Sequence, residues 1–149
     1  MLGFVGICAQ PLAGEDPAPP SLEMLRDPGF DSPSDWTSAG GSHVTGSQLI
    51  SDDDSGSIPT FGALRPEMGG AFVPTSAYRL RCTVGLLPGG GFYRVYLFGD
   101  SGTQLLGFFD TADPIDEVFV ADGPYTAVMV QFGELGVRLN DLSIELVPP

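Results

Sequence analysis

The sequence predicts an all-β domain of about nine short strands, folded as a sandwich or barrel. Three observations carry this expectation. Glycine (21) and proline (14) together approach a quarter of the 149 residues, and both break helices. Apolar and polar residues alternate at period two in several runs, as in half-buried strands. Turn-forming groups punctuate the text roughly every ten residues, and no helical pattern stands out. A hydrophobic content of 42% suffices for one core, and the length suits one domain.

Residues 1–20 read as an arm. Its front half holds Leu2, Phe4, Val5, Ile7 and Leu12, apolar side chains too few to form a core and suited to a partner surface. Pro17, Pro19 and Pro20 make its back half an extended spacer. The domain proper is expected over 21–149, folding without the arm.

Its first strand is SLEML, ended by Asp27-Pro28-Gly29. SHVTGSQLIS follows Gly40-Gly41 as a second, and GGAFVP, stopped by Pro74, as a third. The clearest is AYRLRCTVGLL, which places Tyr78, Leu80, Cys82 and Val84 on one face and Arg79, Arg81 and Thr83 on the other. Pro88-Gly89-Gly90-Gly91 turns it into an antiparallel partner, FYRVYLFG. There Phe92, Arg94, Tyr96 and Phe98 share one face and Tyr93, Val95 and Leu97 the other, so either face qualifies as the wet one. QLLGFF, IDEVFVA and YTAVMVQF continue the series. VRLNDLSIELV closes it, with Leu139, Asp141, Ser143 and Glu145 as its polar face and Leu142, Ile144 and Leu146 as its buried one.

Charge excludes some functions. Nineteen acidic residues face six arginines and no lysine, a net charge of −13. No basic patch is present to displace counterions from nucleic acid, and an anionic membrane would repel the chain. The apolar run Leu2–Ala9 is broken by Gly3 and Gly6, lacks a basic region before it, and falls short of the ~20 residues that span a bilayer. Neither a membrane span nor secretion by the usual route is expected.

Catalytic patterns are sparse, and no enzyme is predicted. The single histidine, His43, cannot build a histidine-rich zinc site, and no nucleophile-elbow motif occurs. Gly89-Gly90-Gly91 leads into a strand with no lysine after it, which excludes a phosphate loop. Asp52-Asp53-Asp54 lacks the spaced ligands of an EF-hand and reads as a solvated acidic loop. Cys82 reads as a small buried hydrophobe, and nothing in the spacing requires a bond to Cys8. No cofactor is required.

Two stretches carry a resemblance. MLRDPGFDSPSDWTSAGG resembles the opening of carbohydrate-binding-module-type jelly rolls of the galactose-binding-like class, and VRLNDLSIELV resembles their last strand. AYRLRCTVG is similar to a central strand of the same class. The resemblance implies a jelly-roll β-sandwich over 21–149, with Trp36 in the core. It also implies a possible structural calcium ion at Asp31 and Asp141, with carbonyls near Gly29 completing the site. A clear cluster of sugar-binding aromatics is missing from the text. The arm, MLGFVGICAQPLAG, resembles the N-termini of small tailed-bacteriophage virion proteins. That likeness implies a virion structural protein: a capsid decoration (cement) protein, head fibre or tail-attached module. Its arm would anchor to other virion proteins, and its jelly roll would be displayed as a homo-oligomer toward host-surface glycans. The alternative is a stand-alone carbohydrate-binding module.

Overall fold

The structure, a computed structural model, describes residues 21–149. The arm, with Leu2, Phe4, Val5, Ile7 and Leu12, lies outside the described residues, as does Cys8. Ten strands form: β1 (Trp36–Ser38), β2 (Ser42–Thr45), β3 (Gln48–Ser51), β4 (Thr60–Ala63), β5 (Ala77–Leu86), β6 (Tyr93–Gly99), β7 (Gly102–Phe109), β8 (Ile115–Val120), β9 (Ala127–Phe132) and β10 (Arg138–Leu146). They build two antiparallel five-stranded sheets, a front sheet in the order β1-β4-β9-β6-β7 and a back sheet in the order β2-β3-β10-β5-β8. The expected all-β sandwich is the observed architecture. Among the described residues no helix is long and apolar enough to cross a membrane.

The core fills the space between the sheets. Tyr93, Val95 and Leu97 of β6 and Val128, Val130 and Phe132 of β9 face it from the front. Tyr78, Leu80 and Cys82 of β5 and Leu139, Leu142 and Ile144 of β10 face it from the back. Cys82 is therefore the small buried hydrophobe expected, and burial pushes its thiol up to about 12.

Several elements differ from expectation. SHVTGSQLIS is a hairpin, β2 and β3, because Gly46 and Ser47 both take positive φ (57° and 59°), which suits a two-residue primed turn. GGAFVP forms no strand: Phe72 sinks into the core edge-on to Tyr78, ring centroids 4.9 Å apart, and Val73 is exposed. SLEML pairs only through single bridges, Glu23 with Glu145 on the back sheet and Leu25 with Leu64 beside the front one. It crosses between sheets, with Met24 N–H donating to the Ile144 carbonyl and Arg26 N–H to that of Ala63. The buried Glu23 carboxylate accepts from Leu25 N–H, Ile144 N–H and the Ser143 hydroxyl at the crossing. Burial raises its pKa above the usual carboxylate value. On β10 a register shift at Asn140 re-phases the alternation, so Leu139 points inward with Leu142 although one residue too many separates them.

The opening loop is locked by one side chain. The buried Asp27 carboxylate accepts the backbone N–H groups of Asp31 (2.8 Å) and Ser32 (2.9 Å), and its carbonyl accepts the Trp36 indole N–H (3.0 Å). Trp36 packs on Phe30 and lies flat on Gly62 of β4; a Cβ there would sit 2.6 Å from the ring. A second loop is locked the same way. Asp53, expected to be solvated, is buried, and its carboxylate accepts from Ser55 N–H, the Ser55 hydroxyl, Ser57 N–H and Ile58 N–H. Those donors, the Ser55 pair foremost, hold its pKa at about 2. Asp52 instead pairs with His43 at 2.7 Å, and Asp54 is exposed.

Two outcomes follow. Gly62→Ala should cost about 1–3 kcal/mol by forcing Trp36 off β4, read as a lowered denaturation midpoint; an unchanged midpoint would refute the packing. Asp53 has a folded pKa depressed from 3.8, so its stabilisation is present above the unfolded value and fades as pH falls toward about 2. The stability gap between wild type and Asp53→Asn should accordingly be constant above about pH 5 and narrow through that acid range. A gap that stays constant down to pH ~2 would contradict it.

Candidate functional site

Strand β6 settles which of its faces is wet. Tyr93, Val95 and Leu97 are fully buried, so Arg94, Tyr96 and Phe98 stand on the outer face of the front sheet. The antiparallel registers then carry that face across every strand. Thr37 pairs with Phe61, Phe61 with Met129, Met129 with Tyr96, and Tyr96 with Leu105. One row of mostly apolar side chains thus crosses all five strands, ~19 Å at the ~4.8 Å spacing of neighbouring strands. Phe98 flanks the row with its ring 4.8 Å from that of Phe61. Phe98 is 36% exposed, Leu105 54% and Phe108 50%, values far above those of the core aromatics.

At one end of the face a second group forms. Gln131 pairs with Arg94, and Arg94 with Phe108. Phe92 stacks on Phe108 at 4.9 Å and packs on the backbone of Gly133, where any Cβ would collide with its ring. The Arg94 guanidinium lies over both rings, 4.9 Å from the Phe92 centroid and 5.6 Å from that of Phe108. A cleft of about 360 Å³ opens beside them, lined by the turn Leu87–Gly91, Phe92, Phe108 and Asp110. A hollow of about 400 Å³ near Ser21, Leu22 and Glu145–Pro148 lies at the back sheet, away from these rings.

The back sheet presents a different surface. Arg79 pairs with Asp116 (3.2 Å), and Arg81 with Asp116 (3.8 Å) and Glu145 (3.4 Å). All four side chains are well exposed, so these pairs contribute little stability and form a solvated charged face.

Of the residues singled out from sequence, Asp31 accepts the Ser47 hydroxyl (2.6 Å), and Asp141 accepts the N–H and hydroxyl of Thr83. The opening turn does rest on β10, with Leu142 N–H donating to the Pro28 carbonyl. Each carboxylate has its own hydroxyl partner there. Among the described residues no cluster of three or more His, Cys, Asp or Glu side chains is arranged to hold a metal ion. Trp36 is core, as the resemblance implied. His43 sits on the exposed edge strand β2 against Asp52. Of the aromatic face, the sequence groups only Phe92, Arg94, Tyr96 and Phe98, without choosing that side as the wet one. The members of the face come from five strands scattered between residues 36 and 132, and only the registers assemble them.

No family model matches the sequence, and no curated protein matches it. Solved structures do. A CBM29-2 variant complexed with mannohexaose, a family 29 carbohydrate-binding module, superposes with a TM-score of 0.54 at 12% identity, covering 87% of this chain and 98% of that one. A xylan-binding domain of family 22 gives a TM-score of 0.54 at 14% identity, over 85% and 97%. The CBM22-1 xylan-binding domain of Paenibacillus barcinonensis Xyn10C gives 0.50 at 13% identity, over 86% and 94%. At these identities the likeness is one of fold: the chain has the jelly-roll sandwich of carbohydrate-binding modules.

Proposed function

We propose that this protein is a non-catalytic glycan-binding module that takes up a polysaccharide chain on the outer face of its front sheet. The observation that carries the reading is the in-register row Thr37–Phe61–Met129–Tyr96–Leu105 with Phe98 beside it. A pyranose ring has one face of C–H groups, which packs on aromatic and apolar side chains, while hydroxyls at its rim seek a few polar groups. Gln131, Arg94 and the Tyr96 hydroxyl are the polar groups of this face. Similarity to modules described as xylan-binding or complexed with mannohexaose supports the same reading. It favours a stand-alone binding module over a virion role, which rests on the sequence of residues 1–20.

A structural calcium ion at Asp31 and Asp141 belongs to the proposal. The two carboxylates would supply the oxygen ligands that a hard cation prefers, and the Ser47 and Thr83 hydroxyls, which donate to them in the structure, would turn aside for the ion. The ion would add cohesion between the opening loop and the last strand.

Binding is tested by titrating the protein with soluble xylan and glucomannan. Tyr96→Ala and Phe98→Ala should each weaken the affinity about tenfold, ~1.4 kcal/mol, with both variants still folded. Val73→Ala, also exposed but outside the face, should bind as wild type. Equal binding by all three variants would refute the site. For the cation, chelator should lower the wild-type melting temperature by about 5 °C and have no effect on Asp31→Ala. Asp141→Ala is the poorer probe, since it frees Thr83 whether or not a metal binds. A wild type indifferent to chelator would remove the ion from the proposal.

A further inference from the structure

The five strands of the front sheet contain no aspartate or glutamate, although the chain has 19 acidic residues. Their only charged residue is Arg94. The back sheet is the contrast, with Asp116, Glu117, Asp141 and Glu145 on its strands. A net charge of −13 repels an anionic ligand from the molecule as a whole, so a carboxylate-free sheet around one arginine is where such a ligand meets the least repulsion.

Arg94 is also held ready. Arg26, Arg65, Arg79 and Arg81 are engaged in ion pairs, whereas among the described residues the guanidinium groups of Arg94 and, on the back sheet, Arg138 have neither a carboxylate nor a hydrogen-bond partner. Its plane is positioned by the Phe92 and Phe108 rings rather than by polar contacts. Its Nη1 lies near Gly56, and the half-buried guanidinium, with no polar partner of its own, sits next to the Phe92 and Phe108 rings that line the cleft. Bracing by two rings removes much of the side-chain entropy that a flexible cation loses on binding. Asp110 lines the same cleft but makes no ion pair with Arg94. A guanidinium presented in this way matches a carboxylate through two parallel hydrogen bonds.

Resting on the glycan-binding reading above, we infer that Arg94 forms a subsite for the carboxylate of an acidic sugar, so that the module prefers uronate-containing polysaccharides to neutral ones. The sugar ring bearing the carboxylate would lie against Phe108 and Phe92, and the rest of the chain would run along the Tyr96 row.

The test compares the full chain's affinity for polygalacturonate, for dextran sulfate, and for neutral xylan and glucomannan, at moderate and at high salt. Wild type should prefer polygalacturonate to the neutral polymers by about tenfold or more at ~0.15 M salt, where a Debye length of ~8 Å screens the distant carboxylates but spares the Arg94 contact, and the preference should shrink toward ~1 M. Arg94→Gln should abolish that ratio. Arg94→Lys, which keeps the charge but loses the planar fork, should not restore it, while Arg138→Gln, at an exposed position of β10 on the back sheet, should leave it intact. Three results would overturn the inference while leaving the glycan-binding reading in place: no preference in wild type, an equal loss on acidic and neutral polymers in Arg94→Gln, or dextran sulfate bound as tightly as polygalacturonate. Failure of every polymer to bind would remove the glycan-binding reading itself, and the subsite with it.

Discussion

Burying Tyr93, Val95 and Leu97 between the sheets obliges Arg94, Tyr96 and Phe98 to stand outside, because side chains of one strand alternate strictly. The phase of β6 therefore decides both the core and the exposed face. Magnitudes show why this phase wins. The Tyr93 hydroxyl is buried with no oxygen or nitrogen partner and only the weakly polar Cys82 thiol near it, a cost of at most about 1–3 kcal/mol. The opposite phase would bury the Arg94 guanidinium, and an unpaired buried charge costs several times as much. A misfit phenol in the core is the lesser penalty.

The two sheets share one core but differ outside. Charge on the back sheet is wet and partly paired, through Arg79, Arg81, Asp116 and Glu145, whereas the front sheet is largely apolar and aromatic and its strands are free of acid. Residues that hold the front face lie beyond it. Asp27 and Trp36 pin the opening loop onto β4, and Asp53 pins the loop that leads into that strand. The front face thus rests on paired strands whose flanking loops are fixed by buried carboxylates.

Much of this was legible in the sequence. Alternation in β5 and β10 announced the sandwich and most of the back core, and the Gly/Pro punctuation located most turns. The misses have physical causes. β1 and β4 are too short, at three and four residues, for a period to register. The hairpin at Gly46-Ser47 was hidden because each of its strands has only four residues, too few for alternation to separate them, and the shift at Asn140 misassigned Leu139. For β6 the answer lay in Arg94, whose charge rules out the core, but tyrosine on both faces masked it. The candidate face was the least legible part, since Phe61 and Tyr96 become neighbours of Met129 only through pairings between distant segments.

The crossing segment at Ser21–Arg26 has a mechanical consequence. It runs antiparallel to the end of β10, with Leu146 N–H donating to the Leu22 carbonyl, so the two ends of the described chain lie side by side. A load applied between Ser21 and Pro149 meets these hydrogen bonds one after another and peels the segment away like a zipper. A load between Ser21 and the front sheet is instead shared among several bonds, through Arg26 to Ala63 and Arg65 to Met24 as well as through the core. Resistance to force in this fold therefore depends on direction, weakest along its own chain ends and greater toward the aromatic face.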